Sequence, residues 1–235
     1  MLSWLALLPQ IVLAQTSSPQ VDATAYYTDK EGEHVVKAIP DGQAPLEVEF
    51  RANPSNLGEL TASYEWHFVR DAGGSSTGEL FVRYEENTNY TFAESGDYTV
   101  TLKTFLRDGE DIMELPSQSI SIKIASSKLE FPNAFSPNGD GLNEKYMAKK
   151  DYKSIVEFRA IILNRWGQKL FEWTDPADGW DGKFNGHDVA QGVYFVLVKA
   201  KGADGVEYNF RKDVNLLRGY TAGSNGTTGT STTGN

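Results

Sequence analysis

The sequence contains no cysteine. That absence excludes disulfides, a thiol nucleophile, cysteine-ligated zinc and an acylated N-terminal cysteine. A chain without disulfides must rest on its apolar cores. Basic residues are few beside acidic ones, 22 Lys and Arg against 32 Asp and Glu, for a net charge of -10. Phosphate contacts need clustered cations, so no nucleic acid partner and no anionic membrane surface is expected. Long apolar runs are missing beyond Leu13, so no transmembrane segment is expected in the mature chain. His34, His67 and His187 are isolated and give no metal-ligand spacing. Neither a Gly-x-Ser-x-Gly elbow nor a phosphate-cradling Gly-Lys-Ser/Thr loop occurs.

What is present is globular. The chain has 235 residues, 40% hydrophobic and 12% aromatic, enough for one large domain or two small ones. Residues 2–13 form an apolar run too short to span a bilayer, ending in Ala14. This reads as a signal peptide over residues 1–14 cut between Ala14 and Gln15, although no Lys or Arg precedes the apolar run. The alternative, a buried N-terminal helix, lacks any amphipathic continuation into the polar residues 16–20. Residues 15–37 are read as an N-terminal extension or first strand.

Residues 38–125 alternate with period two. Leu46, Val48 and Phe50 share a face, as do Tyr64, Trp66 and Phe68, and Tyr98, Val100 and Leu102. Short alternating runs between Gly, Asn and Ser turns predict a β-sandwich of about 100 residues. His67 falls on the face opposite the core and is read as an exposed strand histidine. Acidic pairs such as Glu85 and Glu86 are read as solvated turns. The Trp66 strand and Gly96-Asp-Tyr98 resemble the PKD domain, an immunoglobulin-like module.

A Pro-, Gly- and Asn-rich stretch at 130–143 then opens a second unit, expected over 129–218. Pro132 and Pro137 disfavour helix, and its Asn-Gly and Asp-Gly pairs supply turn geometry. Residues 154–163 read as a central strand covered on both faces. Residues 192–200 follow, then a hairpin at Ala203-Asp-Gly205. Val206, Tyr208, Phe210, Val214 and Leu216 are expected inward, with Lys212 as the interruption. The fold class expected overall is all-β, two tandem β-sandwich, immunoglobulin-like domains. Residues 219–235 form a Gly-, Thr- and Ser-rich tail expected to be flexible.

The second unit resembles the gliding-motility-associated C-terminal domain of Bacteroidetes, the type B signal for type IX secretion. The resemblance rests on five ordered blocks. The first holds Phe131, Pro132, Asn138, Gly139, Asp140 and Gly141. Asn164-Arg165-Trp166-Gly167 and then Trp180-Asp181-Gly182 follow. Gly192 with Tyr194, and Leu216-Leu217-Arg218, complete it. The resemblance implies export through the periplasm, recognition by type IX machinery at the outer membrane, and an outer-membrane or extracellular location.

Two kinds of site are candidates. Arg165, Trp166, Trp173 and Trp180, around the Gly-rich loops, are the binding candidates, because Trp and Arg dominate hot spots. Asn138, Asp140 and Asn143 are the calcium alternative. An EF-hand template fails there at both ends, so turn capping is favoured and no cofactor is expected. No catalytic residue is assigned. The expected function is a small exported, non-enzymatic surface protein, docking on secretion or surface-attachment machinery as an accessory or signalling subunit. The alternative is a secreted adhesin binding a surface glycan or host protein through the PKD-like domain. A hydrolase is the third reading.

Overall fold

Ten strands built from these alternating runs fold the first half of the chain in the computed structural model, which describes residues 18–71 and 77–219. The expected cleavage between Ala14 and Gln15, and the tail after Gly219, lie outside the described residues. Strands β1 (Thr24–Asp29), β2 (Gly32–Val36), β4 (Leu46–Arg51) and β7 (Asn87–Phe92) form one sheet in the order β2-β1-β4-β7. The facing sheet runs β3-β10-β8-β5-β6, with β9 (Asp111–Glu114) also paired to β8. Its members are β3 (Ala38–Gly42), β5 (Thr61–Asp71), β6 (Thr77–Arg83), β8 (Gly96–Asp108) and β10 (Gln118–Ile124). Every pair is antiparallel except β3 with β10. Two such sheets face to face make an immunoglobulin-like sandwich.

The alternation read from the sequence is the packing pattern. Phe50, Trp66, Phe68, Val100 and Leu102 are buried between the sheets. Phe50 meets Phe68 edge to face at 5.4 Å, and the Trp66 indole nitrogen donates to Glu85 O at 3.1 Å. β1 and β2 bring residues from Thr24 onward into this sandwich.

The second domain has one five-stranded sheet in the order β11-β19-β18-β13-β14. These strands are β11 (Ala134–Phe135), β13 (Ile155–Leu163), β14 (Lys169–Trp173), β18 (Gly192–Gly202) and β19 (Glu207–Leu216). Two ribbons complete the β structure, β12 (Tyr146–Met147) with β15 (Gly179–Trp180), and β16 (Lys183–Phe184) with β17 (His187–Asp188). Aromatic side chains fill the core: Phe131, Phe135, Tyr146, Trp173, Trp180 and Tyr194. Burial alone pushes the Tyr146 hydroxyl pKa above its ordinary value.

Two strand readings are corrected. β13 is central in pairing order but covered on one face only, with Ala160 and Ile162 buried while Ile161 and Leu163 are half-buried. Val206 does not point inward: beside the hairpin turn it is 47% exposed. Lys212 interrupts the inward face because its ammonium donates to Phe131 O at 2.6 Å. Partial burial lowers its pKa, the Lys149 charge adds to that, and Glu130 opposes it.

Candidate functional site

Strand register decides where the five sequence blocks meet. β13 and β18 run antiparallel with Ile155 opposite Gly202 and Leu163 opposite Phe195. β18 and β19 pair Gly192 with Leu216, and β11 lies parallel to β19 with Phe135 beside Leu216. One pole of the sheet therefore collects the exit of β11, the turn after β13, the start of β18 and the end of β19. The opposite pole carries Ser154 and the hairpin 202–206.

Arg218 ties the first pole together. Its guanidinium donates to Gly182 O at 2.7 Å, Pro137 O at 3.1 Å and Val189 O at 3.2 Å. It also lies 3.3 Å from the Asp188 carboxylate, and its backbone N–H donates to Gln191 Oε1 at 3.2 Å. The fork of donors on a planar guanidinium suits three carbonyls from separate loops; a lysine could not span them. Leu217 N–H donates to Phe135 O at 3.0 Å, so the segment after β19 is held by backbone as well. Gly182 sits at φ +78, and a Cβ there would press on Pro137 at 3.0 Å and Arg218 at 3.1 Å. That position needs glycine for both conformation and space.

The Trp180-Asp181-Gly182 block is anchored from within. Trp180 is fully buried, donates from its indole nitrogen to Lys183 O at 2.7 Å, and meets Tyr194 at 5.0 Å. Asp181 accepts from Lys183 N–H at 3.0 Å. The Tyr194 hydroxyl donates to Ala190 O at 2.7 Å. Burial raises its pKa, while the Arg218 and Arg165 charges pull it down.

The loop after β11 uses its oxygens on itself. Asn138 Oδ1 accepts from Asp140 N–H at 3.1 Å, and Asp140 Oδ1 from Leu142 N–H at 2.8 Å. Gly141 N–H donates to Glu144 at 3.1 Å, and Asn143 O accepts from Ser136 N–H at 2.9 Å. These are turn-capping roles. No cluster of three or more His, Cys, Asp or Glu among the described residues is placed to hold a metal ion.

The turn after β13 is built by Asn164, whose Oδ1 accepts from Trp166 and Gln168 N–H, both at 3.0 Å. It holds Trp166 out, 79% exposed, with the Arg165 guanidinium 4.9 Å from the indole ring. Of the four binding candidates, only this pair is at the surface. Trp173 and Trp180 are corrections: both are core side chains, 4% and 0% exposed. Trp180 stands between Gly179 and Gly182, which suggested a loop, whereas Trp173 ends β14 with its ring packed inward. Sequence reading missed Val193 and Leu142, exposed apolar side chains at 51% and 54%. Lone apolar residues among turn residues give no signal of exposure.

Two of the histidines hydrogen-bond carboxylates on the strands. His67 is half-buried between Glu79 at 2.7 Å and Glu65 at 3.2 Å, and His34 pairs with Asp29 at 2.8 Å.

No curated protein matches the chain. Among solved structures, SGBP-B of the Bacteroides ovatus mixed-linkage glucan utilization locus aligns at 12% identity and TM-score 0.23. That alignment covers 77% of this chain and 42% of the other, so the chain spans less than half of it. A tetra-tandem repeat from the extending region of a large adhesion protein aligns at 14% identity and TM-score 0.26, covering 86% and 68%. Drosophila N-cadherin EC1-4 aligns at 15% and 0.23, covering 83% and 51%. At such scores no functional argument follows. Residues 129–211, by contrast, match the family model of the CHU_C type IX secretion signal domain, which spans most of the second domain.

Proposed function

We propose that this is an exported surface or extracellular protein whose second domain is the export address and whose Arg218 pole is the face read by the secretion or attachment machinery. One observation carries this: the turn 164–167, Gly182, the start of β18 and residues 216–218 gather at one pole, where Arg218 joins the carbonyls of Pro137, Gly182 and Val189. Core formation alone gives no reason to expose Trp166 beside Arg165 at that same pole. An exposed Trp with an Arg stacked on it is the residue pairing that dominates binding hot spots. The protein acts without catalysis, as an accessory or signalling subunit docked through this pole.

The test compares surface delivery of the wild type with Trp166→Ala and Arg165→Ala. Export reduced severalfold at unchanged thermal stability supports the reading. Normal delivery of the double variant removes this pole as the recognised face.

A second reading has its own observation. On the outer face of the sheet β2-β1-β4-β7, a groove of about 680 Å³ is lined by Tyr26, Glu33, Val35, Glu49 and Arg51. The Arg51 guanidinium lies 4.1 Å from the Tyr26 ring on that face. Aromatic faces edged by carboxylates suit a glycan or a peptide, the adhesin alternative. A glycan and surface-protein array without signal for the purified chain would remove it.

A further inference from the structure

The linker at 125–128, Ala-Ser-Ser-Lys, is small and polar, the kind of segment at which proteases ordinarily nick a chain. Here it is tied down. Ser127 donates to Asp204 from its backbone N–H at 2.8 Å and from its hydroxyl at 2.7 Å. Ala125 N–H donates to Gly42 O at 2.9 Å, and Lys128 and Lys153 exchange backbone hydrogen bonds at 3.0 Å.

The hairpin 202–206 then enters the first domain. Ala203 belongs to the apolar core of that domain although it lies in the second half of the sequence. Its carbonyl accepts from Ser95 N–H at 3.0 Å, while its own N–H donates to Ser154 O at 2.9 Å. Ser154 is 2% exposed with φ +46, a left-handed conformation that serine rarely holds without support. Its hydroxyl accepts from Ala44 N–H across the joint at 3.2 Å. At the rim Lys153 pairs with Asp41 at 2.6 Å, and Lys30 donates to the Tyr152 hydroxyl at 3.1 Å. Gly202 has no room for a side chain, because a Cβ would overlap Ser127.

Domains joined by a small wet interface move independently by default. This joint differs in kind, since a backbone hydrogen bond and a buried methyl cross it. We propose that it is a protease-resistant weld: the two domains form one rigid body, and the folded chain is not cut between residues 125 and 130. Cleavage there requires Ser127, Lys128 and the hairpin to leave their partners together, so its rate follows the opening of the joint. The proposal is independent of the export reading, because it needs no secretion partner.

The experiment is limited proteolysis of the full chain under native conditions, with fragments identified by mass spectrometry. Ala203→Glu places a charge in the first domain's core and should open the joint, giving two stable fragments with cleavage at 125–130 at least about 100-fold faster than wild type. Asp204→Ala leaves both cores intact and should accelerate the same cut by about tenfold. It decides the matter alone if Ala203→Glu does not fold. A wild type cut at 125–130 as fast as Asp204→Ala overturns the weld.

Discussion

The guanidinium of Arg218 donates to the carbonyl of Gly182 at 2.7 Å, closing the last residues of the second domain onto a loop 36 positions earlier. The same side chain holds Pro137 and Val189. Arg218→Ala should cost about 2–3 kcal/mol, since three half-buried carbonyls lose a charged donor. Arg218→Lys keeps the charge but not the fork and should recover less than half of that. Urea denaturation midpoints at constant m-value would measure both; a loss below about 0.5 kcal/mol for the alanine variant would refute the clamp.

Trp166 and Trp180 belong to adjacent blocks of one pole and should behave oppositely. Trp180→Ala empties a fully buried site and should cost about 3–5 kcal/mol. Trp166→Ala removes an exposed ring and should change stability by less than about 0.5 kcal/mol. Thermal melts followed by circular dichroism would separate them. Equal losses would mean that Trp166 is packed rather than displayed.

Trp173 and Trp180 are both buried, yet their indole nitrogens differ. Trp180 donates to Lys183 O, whereas Trp173 Nε1 is buried without a hydrogen-bond partner. An unpaired buried donor already carries a penalty of about 1–3 kcal/mol. Replacing Trp180 by Phe strands a carbonyl, while replacing Trp173 by Phe removes the unpaired N–H. Trp180→Phe should therefore be the more destabilising by about 1–2 kcal/mol. The reverse order in chemical denaturation would place an unseen acceptor at Trp173.

Glu172 lies on the open face of the second domain's sheet. Arg159 at 2.6 Å and Lys169 at 2.7 Å hold its carboxyl pKa at about 2, below the ordinary 4.5. The folded state binds this proton less readily than the unfolded chain. The stabilisation is therefore full above pH 4.5 and is lost as pH falls toward about 2. The stability difference between wild type and Glu172→Gln should be flat above pH 4.5, shrink below it, and weaken in salt. A difference independent of pH would show that the pair contributes by packing alone.

Where one face is buried, period two is a direct record of packing, and the cores around Trp66 and Val214 were legible for that reason. The blocks of the second domain were legible as an ordered set, and register turned that order into a pole. Arg218 was visible as part of a motif, but its three acceptors are backbone carbonyls, which no sequence displays. Burial of Trp180 was hidden because a tryptophan beside glycines reads equally as a displayed ring or a core ring, and Trp173 was grouped with it by residue type although it ends a strand. The joint was invisible. Ala203 and Asp204 look like an ordinary hairpin turn, and only the fold brings them to Ser95 and Ser127.

Ala203 has one more consequence. The first domain takes a core methyl and the acceptor for Ser95 N–H from a hairpin that belongs to its neighbour. Exchanging either half for a homologous module would leave Ser95 without its acceptor and Ala203 facing water. The second domain is fitted to the first, and a foreign protein joined before residue 129 would lack the matching socket.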